Sequence, residues 1–226
     1  MIFDSTFLLL IPAMLFAVYA QFKVKSTYAR YGNVNARSGM TGAEAARKIL
    51  DANRASEVEI EQIEGTLTDH YDPRSKVLRL SADVYNGTSL AAIGVAAHEA
   101  GHAMQDAQEY LPLKMRNGFL LPVANIGSIA AWPLFLLGLL FSIPMLMDLG
   151  IIFFTAAVVF QVMNLPVEYN ASGRAIALLT STGVVTAEES KDAKKVLNAA
   201  GLTYLAAAAM ALLQLIRLII LRGERD

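Results

Sequence analysis

His98, Glu99 and His102 form a His-Glu-x-x-His pattern within Ala97-His98-Glu99-Ala100-Gly101-His102-Ala103, in a run of good helix formers from about Ser89 to Gln108. Residues four apart on a helix share one face, roughly 6 Å apart, so both imidazoles can reach a single tetrahedral Zn²⁺. Glu99 lies one residue round from His98. From there its carboxylate reaches the open position of the metal, takes a proton from water and returns it to a leaving amine. The alternative is a pair of hydrogen-bonded core histidines beside a chance glutamate. That reading is costly here, because the surrounding helix offers few polar partners for buried imidazoles and a buried carboxylate. The chain holds 3 His and no Cys, so thiolate ligation, disulfides and a cysteine nucleophile are excluded. Any metal must be held by His and carboxylate.

The elements that position these residues are set in a very apolar chain. With 55% hydrophobic and 17% charged residues over 226 positions, it cannot cover an ordinary soluble surface, and the excess must face lipid. Four stretches reach the roughly 20 apolar residues that a helix needs to cross a bilayer. They run from about Phe3 to Phe22, Gly118 to Phe141, Met145 to Met163 and Leu202 to Leu221. Ser142, Ile143 and Pro144 join the second and third as a tight hairpin. The segment from Lys23 to Asn117 carries twelve of the nineteen Lys and Arg residues, which predicts that it faces the cytoplasm. By parity, Asn164 to Gly201 shares that side. Arg222 and Arg225 then fall opposite, against the same rule. The formal net charge of -1 leaves no basic field for a nucleic-acid partner.

Within the polar segment, Thr41 with Glu44 reads as a capping box that opens a helix burying Ala45, Ala46, Ile49 and Leu50. Alternation at Val58, Ile60 and Gln62 predicts a strand. The run Thr66 to Tyr71, a turn at Asp72-Pro73-Arg74-Ser75 and the run Lys76 to Leu80 predict a β-hairpin. Ser89 caps the histidine helix, and Thr186 with Glu189 caps a helix that Gly201 ends.

A catalytic zinc needs a third protein ligand, and no further His follows at a suitable spacing. The best-placed carboxylate is Glu168, in Leu165-Pro166-Val167-Glu168-Tyr169-Asn170-Ala171-Ser172. Pro166 suits the first turn of a helix that begins as the third span emerges, on the side to which the hairpin returns. The same position also suits a carboxylate placed only to favour a helix dipole. Asp106 and Glu109 lie on the histidine helix and cannot fold back onto the metal. His70, Tyr71 or Arg174 are options for stabilising an oxyanion, and His70 is equally consistent with an ordinary strand residue.

These motifs, with Met40-Thr41-Gly42-Ala43-Glu44-Ala45-Ala46 and Leu67-Thr68-Asp69-His70-Tyr71-Asp72-Pro73-Arg74, together resemble the YugP-type neutral zinc metallopeptidases of bacterial membranes. The match covers most of the chain. More distantly, the plan is similar to the HtpX and Ste24 membrane gluzincins, whose active sites face the cytosol. The resemblance implies gluzincin-type zinc ligation by His98, His102 and Glu168, with Glu99 as general base. It also implies that the segment Leu67, Thr68, Asp69 and Tyr71 aligns an extended substrate through main-chain hydrogen bonds. In those relatives an Asp four residues after the ligand Glu steadies a zinc histidine. Ser172 stands there in this chain, and Asn170 is the alternative support.

The expected molecule is thus a mostly α membrane protein with about four transmembrane helices and a small α+β gluzincin-like zinc peptidase domain. Its parts are residues 1–22 (first span), 23–117 (catalytic region), 118–163 (hairpin), 164–201 (third-ligand helix and capped helix) and 202–226 (last span and tail). The expected activity is zinc-dependent peptide hydrolysis at the inner membrane, with the active site facing the cytoplasm. Membrane proteins or unfolded segments are the expected substrates, and the sequence leaves the oligomeric state and any protein partner open. Two rival readings are a catalytically silent metal-binding scaffold and a metal-relay transporter. An intact Glu99 argues against the scaffold. His98, Glu99, His102 and Glu168 all lie outside the long spans, which argues against the transporter.

Overall fold

The computed structural model describes residues 5–224, so the Phe3 start of the first span and the tail residue Arg225 lie outside the described residues. The described chain is mostly helical, with one small sheet. A 3-10 turn, Ser5–Leu10, leads into α1 (Ile11–Tyr31), followed by α2 (Gly42–Ala52), β1 (Glu59–Ile63), β2 (His70–Asp72), β3 (Val77–Ser81) and α3 (Ala82–Tyr85). Next come α4 (Leu90–Ala107), α5 (Leu111–Met115), a π-helical turn (Arg116–Leu120), α6 (Leu121–Phe141), α7 (Pro144–Ser181) and α8 (Ala187–Gly223). Four helical stretches, Ser5–Tyr31, Leu111–Phe141, Pro144–Ser181 and Ala187–Gly223, are long and apolar enough to cross a membrane. By contact density the chain divides into two compact units, Met1–Gln21 with Lys114–Pro166 and Leu202–Asp226, and Phe22–Leu113 with Val167–Gly201.

The first unit is built on close helix packing. In a membrane, helices associate through small residues that let backbones approach. A Cβ on Gly127 would stand 2.5 Å from the Phe153 carbonyl oxygen, and one on Gly150 would stand 2.8 Å from Phe135 and 2.9 Å from the Ala131 oxygen. Phe135, Met147 and Leu218 form the buried centre. Apolar side chains such as Ile129, Leu140 and Met145 stay exposed, as a lipid-facing surface requires. The α6–α7 turn is as short as expected: Ser142 takes a left-handed conformation at φ 54°, and Pro144 opens α7.

The second unit packs α2, β3, α4 and the latter part of α7 around Ile49, Leu50, Leu78, Leu80, Leu90, Ile93, Met104 and Leu179. Both capping boxes are present. Thr41 Oγ1 accepts from Glu44 N while Glu44 accepts from Thr41 N, and Thr186 and Glu189 do the same. Ser89 Oγ accepts from Ala92 N and starts α4. The sheet has the order β1-β3-β2, with β1 parallel and β2 antiparallel to β3. Asp72 builds the β2–β3 turn by accepting from the Ser75 hydroxyl (2.7 Å) and Arg74 N (2.9 Å). These bonds, assisted by Arg79, lower the Asp72 carboxyl to about 2.

Three expectations need correction. The strand expected from Thr66 begins only at His70. Leu67 sits at φ 55°, the Thr68 hydroxyl donates to Glu64 O, and Asp69 accepts from Ser81 N and Oγ, so these residues form a bend. No helix starts at Pro166. α7 runs unbroken from Pro144 to Ser181 with Pro166 inside it, since a proline costs a helix one N–H and a local clash that surrounding packing can outweigh. Gly201 does not end a helix either. α8 continues through it, and the Tyr169 ring packs against it, 3.3 Å from where a Cβ would stand.

Candidate metal centre

α4 and α7 supply the site, and both stretches belong to the second unit. The 3.6-residue helical repeat puts His98 and His102 on one face of α4, with ring centroids 4.7 Å apart and planes at 84°. Their Nε2 atoms converge on one oxygen of α7: Glu168 Oε2 lies 3.2 Å from His98 Nε2 and 3.4 Å from His102 Nε2. Ligand atoms of the three residues all lie within 4.8 Å of one another. Two donors at ~2.0–2.1 Å from a tetrahedral zinc stand about 3.3 Å apart, so this spacing and an N, N, O donor set fit the ion. His102 and Glu168 are buried, and His98 is nearly so.

Close approach of the two helices makes this convergence possible. Gly101 faces the Ala171 carbonyl oxygen, which would lie 2.6 Å from any Cβ there. A glycine in the third of the four steps from His98 to His102 therefore lets α7 come near enough for Glu168 to reach both rings.

The far side of each ring is also engaged. The Ser172 hydroxyl lies 3.1 Å from His98 Nδ1, and Gln105 Oε1 lies 3.0 Å from His102 Nδ1. Asn170 meets neither histidine directly: its Oδ1 accepts from Gln105 Nε2 (3.0 Å) and Arg174 Nε (2.7 Å). Gln105 had no place in the sequence reading. It is the one amide in α4, a single turn beyond His102, but nothing local gives that amide a direction.

Glu99 is buried, and its Oε2 accepts from Tyr71 N at 3.0 Å, so β2 holds the carboxylate through its main chain. Burial raises the Glu99 pKa, with the negative charges of Glu168 and Asp69 adding to it; His98 and the Tyr71 N–H oppose the shift. A carboxyl raised in this way is a better proton acceptor than an exposed one. The Tyr71 hydroxyl donates to Asp106 Oδ2 at 2.8 Å, and burial together with that bond raises its pKa.

The remaining candidates lie apart from the ligand group. His70 is exposed on β2, with Nδ1 2.9 Å from Thr68 O, and no hydrogen bond among the described residues joins it to His98, His102 or Glu168. Leu67 is exposed, and Thr68 and Asp69 make the bend contacts given above. Arg174 spans Asn170 and the Gln108 carboxamide oxygen (2.5 Å).

Comparison with known proteins points to a zinc-dependent family. A family described as "putative neutral zinc metallopeptidase" matches residues 6–223. The "Putative membrane protease YugP" of Bacillus subtilis (strain 168) is 49% identical over 213 residues, covering 94% of this chain and 94% of that protein. No solved structure matches the chain. A match along nearly the whole length, in a chain whose only three-residue metal cluster among the described residues is His98, His102 and Glu168, shows that it belongs to the neutral zinc metallopeptidase family, with zinc as its cofactor.

Proposed function

We propose that this chain is a multi-pass membrane metalloendopeptidase with gluzincin-type ligation, in which His98, His102 and Glu168 hold zinc and Glu99 is the general base. The observation that carries the reading is the convergence of His98 Nε2 and His102 Nε2 on Glu168 Oε2, with the buried Glu99 carboxylate on the same helix. Zinc bound there supplies Lewis acidity, which polarises a carbonyl and acidifies water. Glu99 takes the proton of the attacking water on its carboxylate and delivers it to the leaving amine. The Tyr71 N–H keeps one Glu99 oxygen fixed through both transfers.

The catalytic region is residues 23–117 together with 164–201, and residues 1–22, 118–163 and 202–226 anchor it. Strand β2 pairs with β3 on one side only, which supports substrate alignment along its other edge around Tyr71. The Lys and Arg distribution supports an active site on the cytoplasmic face of the inner membrane, and the four apolar helices support turnover of membrane proteins as the role.

The test is Glu99→Gln in the purified, detergent-solubilised chain, assayed on casein with zinc analysis in parallel. Hydrolysis should fall by at least about 10²-fold while zinc remains bound, because the base is lost and the ligands are not. Near-normal turnover would overturn the mechanism.

A further inference from the structure

Gln105 is fully buried, so no solvent competes for its carboxamide, and all its partners belong to the site. Its Nε2 lies 2.8 Å from the Val167 carbonyl oxygen and 3.0 Å from Asn170 Oδ1. A main-chain carbonyl can only accept. Asn170 Oδ1 is likewise identified as an oxygen, because Arg174 Nε, which can only donate, points at it from 2.7 Å. The amino end of Gln105 must therefore face α7, and its oxygen must face His102 Nδ1 at 3.0 Å. An oxygen there accepts only from a protonated Nδ1. In the neutral ring, Nε2 of His102 then keeps its lone pair, on the side where Glu168 Oε2 lies.

The other histidine is held differently. The Ser172 hydroxyl, 3.1 Å from His98 Nδ1, can donate or accept and so does not choose between tautomers. Both supports are also neutral. A carboxylate behind a ligand histidine would add negative charge to the centre and raise the basicity of the ring. Gln105 and Ser172 orient the rings without doing so, leaving Glu168 as the one anion in the ligand set.

From this geometry we infer that Gln105 is a positioning residue that fixes His102 in its metal-binding tautomer by a relay running from Val167 and Asn170 on α7. The inference rests on the zinc site proposed above and deepens it. The relay makes α7 responsible for two things at once: Glu168 as ligand, and the ring state of His102 through the residues on either side of Glu168.

Zinc affinity of the full chain in detergent, measured by chelator competition, tests this in Gln105→Met and Gln105→Glu. A readout independent of turnover is the visible spectrum of the Co²⁺-substituted protein. Met removes the acceptor and both donors, and zinc affinity should fall 10- to 100-fold with an altered cobalt spectrum. Glu keeps an oxygen toward Nδ1 and loses only the donors to α7. Its added charge also strengthens the ring as a ligand, so it should hold zinc at least as tightly as wild type to within about threefold, even though the metal-free protein melts earlier.

If both variants lose affinity in step with the fall in the metal-free melting temperature, Gln105 is a helix clamp and the inference is overturned. It is overturned equally if Gln105→Met binds zinc like wild type. Should the Met variant not fold, Gln105→Glu decides alone, a loss beyond tenfold counting against the inference. Failure of the underlying site looks different: wild type would bind no zinc, or would keep it when His98 and His102 are both replaced.

Discussion

One oxygen, Glu168 Oε2, meets both imidazoles and supplies the α7 share of the donor set. Replacing Glu168 by Ala leaves two imidazoles and no anion. Zinc affinity should drop by at least about 10-fold and hydrolysis should vanish, as read by chelator competition beside the casein assay. Unchanged affinity would mean that another carboxylate completes the donor set. Asp69 and Asp72 are both committed elsewhere, to Ser81 and to the β2–β3 turn. The two histidines are legible in the sequence because the helical repeat alone brings His98 and His102 together. Gln105 was not, since only packing against Val167 and Asn170 gives its amide a direction.

For elements, the decisive contact is the approach of α4 to α7 at Gly101. Gly101→Ala would drive a methyl group to 2.6 Å from the Ala171 oxygen, which is backbone and cannot swing away. The helices must part, at about 1–3 kcal/mol in stability. Zinc binding should weaken too, because Glu168 and Ser172 flank that contact. Gly173→Ala on α7 is the control, since nothing lies within 4 Å of its Cβ position. It should be neutral or stabilising by about 0.5–1 kcal/mol through helix propensity. Thermal unfolding of both variants separates the cases, and equal melting temperatures would rule out a close-packed helix pair. Periodicity revealed the elements but not all their ends: Pro166 and Gly201 carry local stop signals, yet α7 and α8 continue through them.

Over the whole molecule, charge and apolar length set the expected topology. Arg222, which with Arg225 falls on the side opposite most of the cations in that topology, is paired with Asp148, with Nε 2.7 Å from Oδ1. The expected orientation rests on the Lys and Arg of the two polar segments, which outnumber these arginines. With single cysteines at Ser75 and Ser142, a membrane-impermeant thiol reagent added outside cells should label only Ser142. Labelling at Ser75 alone would invert the orientation. α7 carries Glu168 on the same unbroken helix as an apolar span, which supports cleavage of substrates presented beside a membrane. A peptide tethered next to a transmembrane helix should therefore be cleaved faster than the same peptide free in detergent at equal effective concentration. Equal rates would leave the peptidase intact and remove the preference for membrane substrates.

The sequence by itself determined the chemistry and the membrane plan, because both are written at short range. Four-residue spacing puts two imidazoles on one helix face, capping boxes start α2 and α8, and runs of about 20 apolar residues make helices long enough to span a membrane. Tertiary structure alone decided which α7 oxygen meets the imidazoles, that Tyr71 N holds Glu99, that Gln105 stands behind His102, and that the segment before His70 is a bend. Glu99 and Glu168 are met from 28 and 70 positions away, the bend is tied from 12, and the Gln105 contact hangs on the direction of one lone pair, none of which local periodicity encodes.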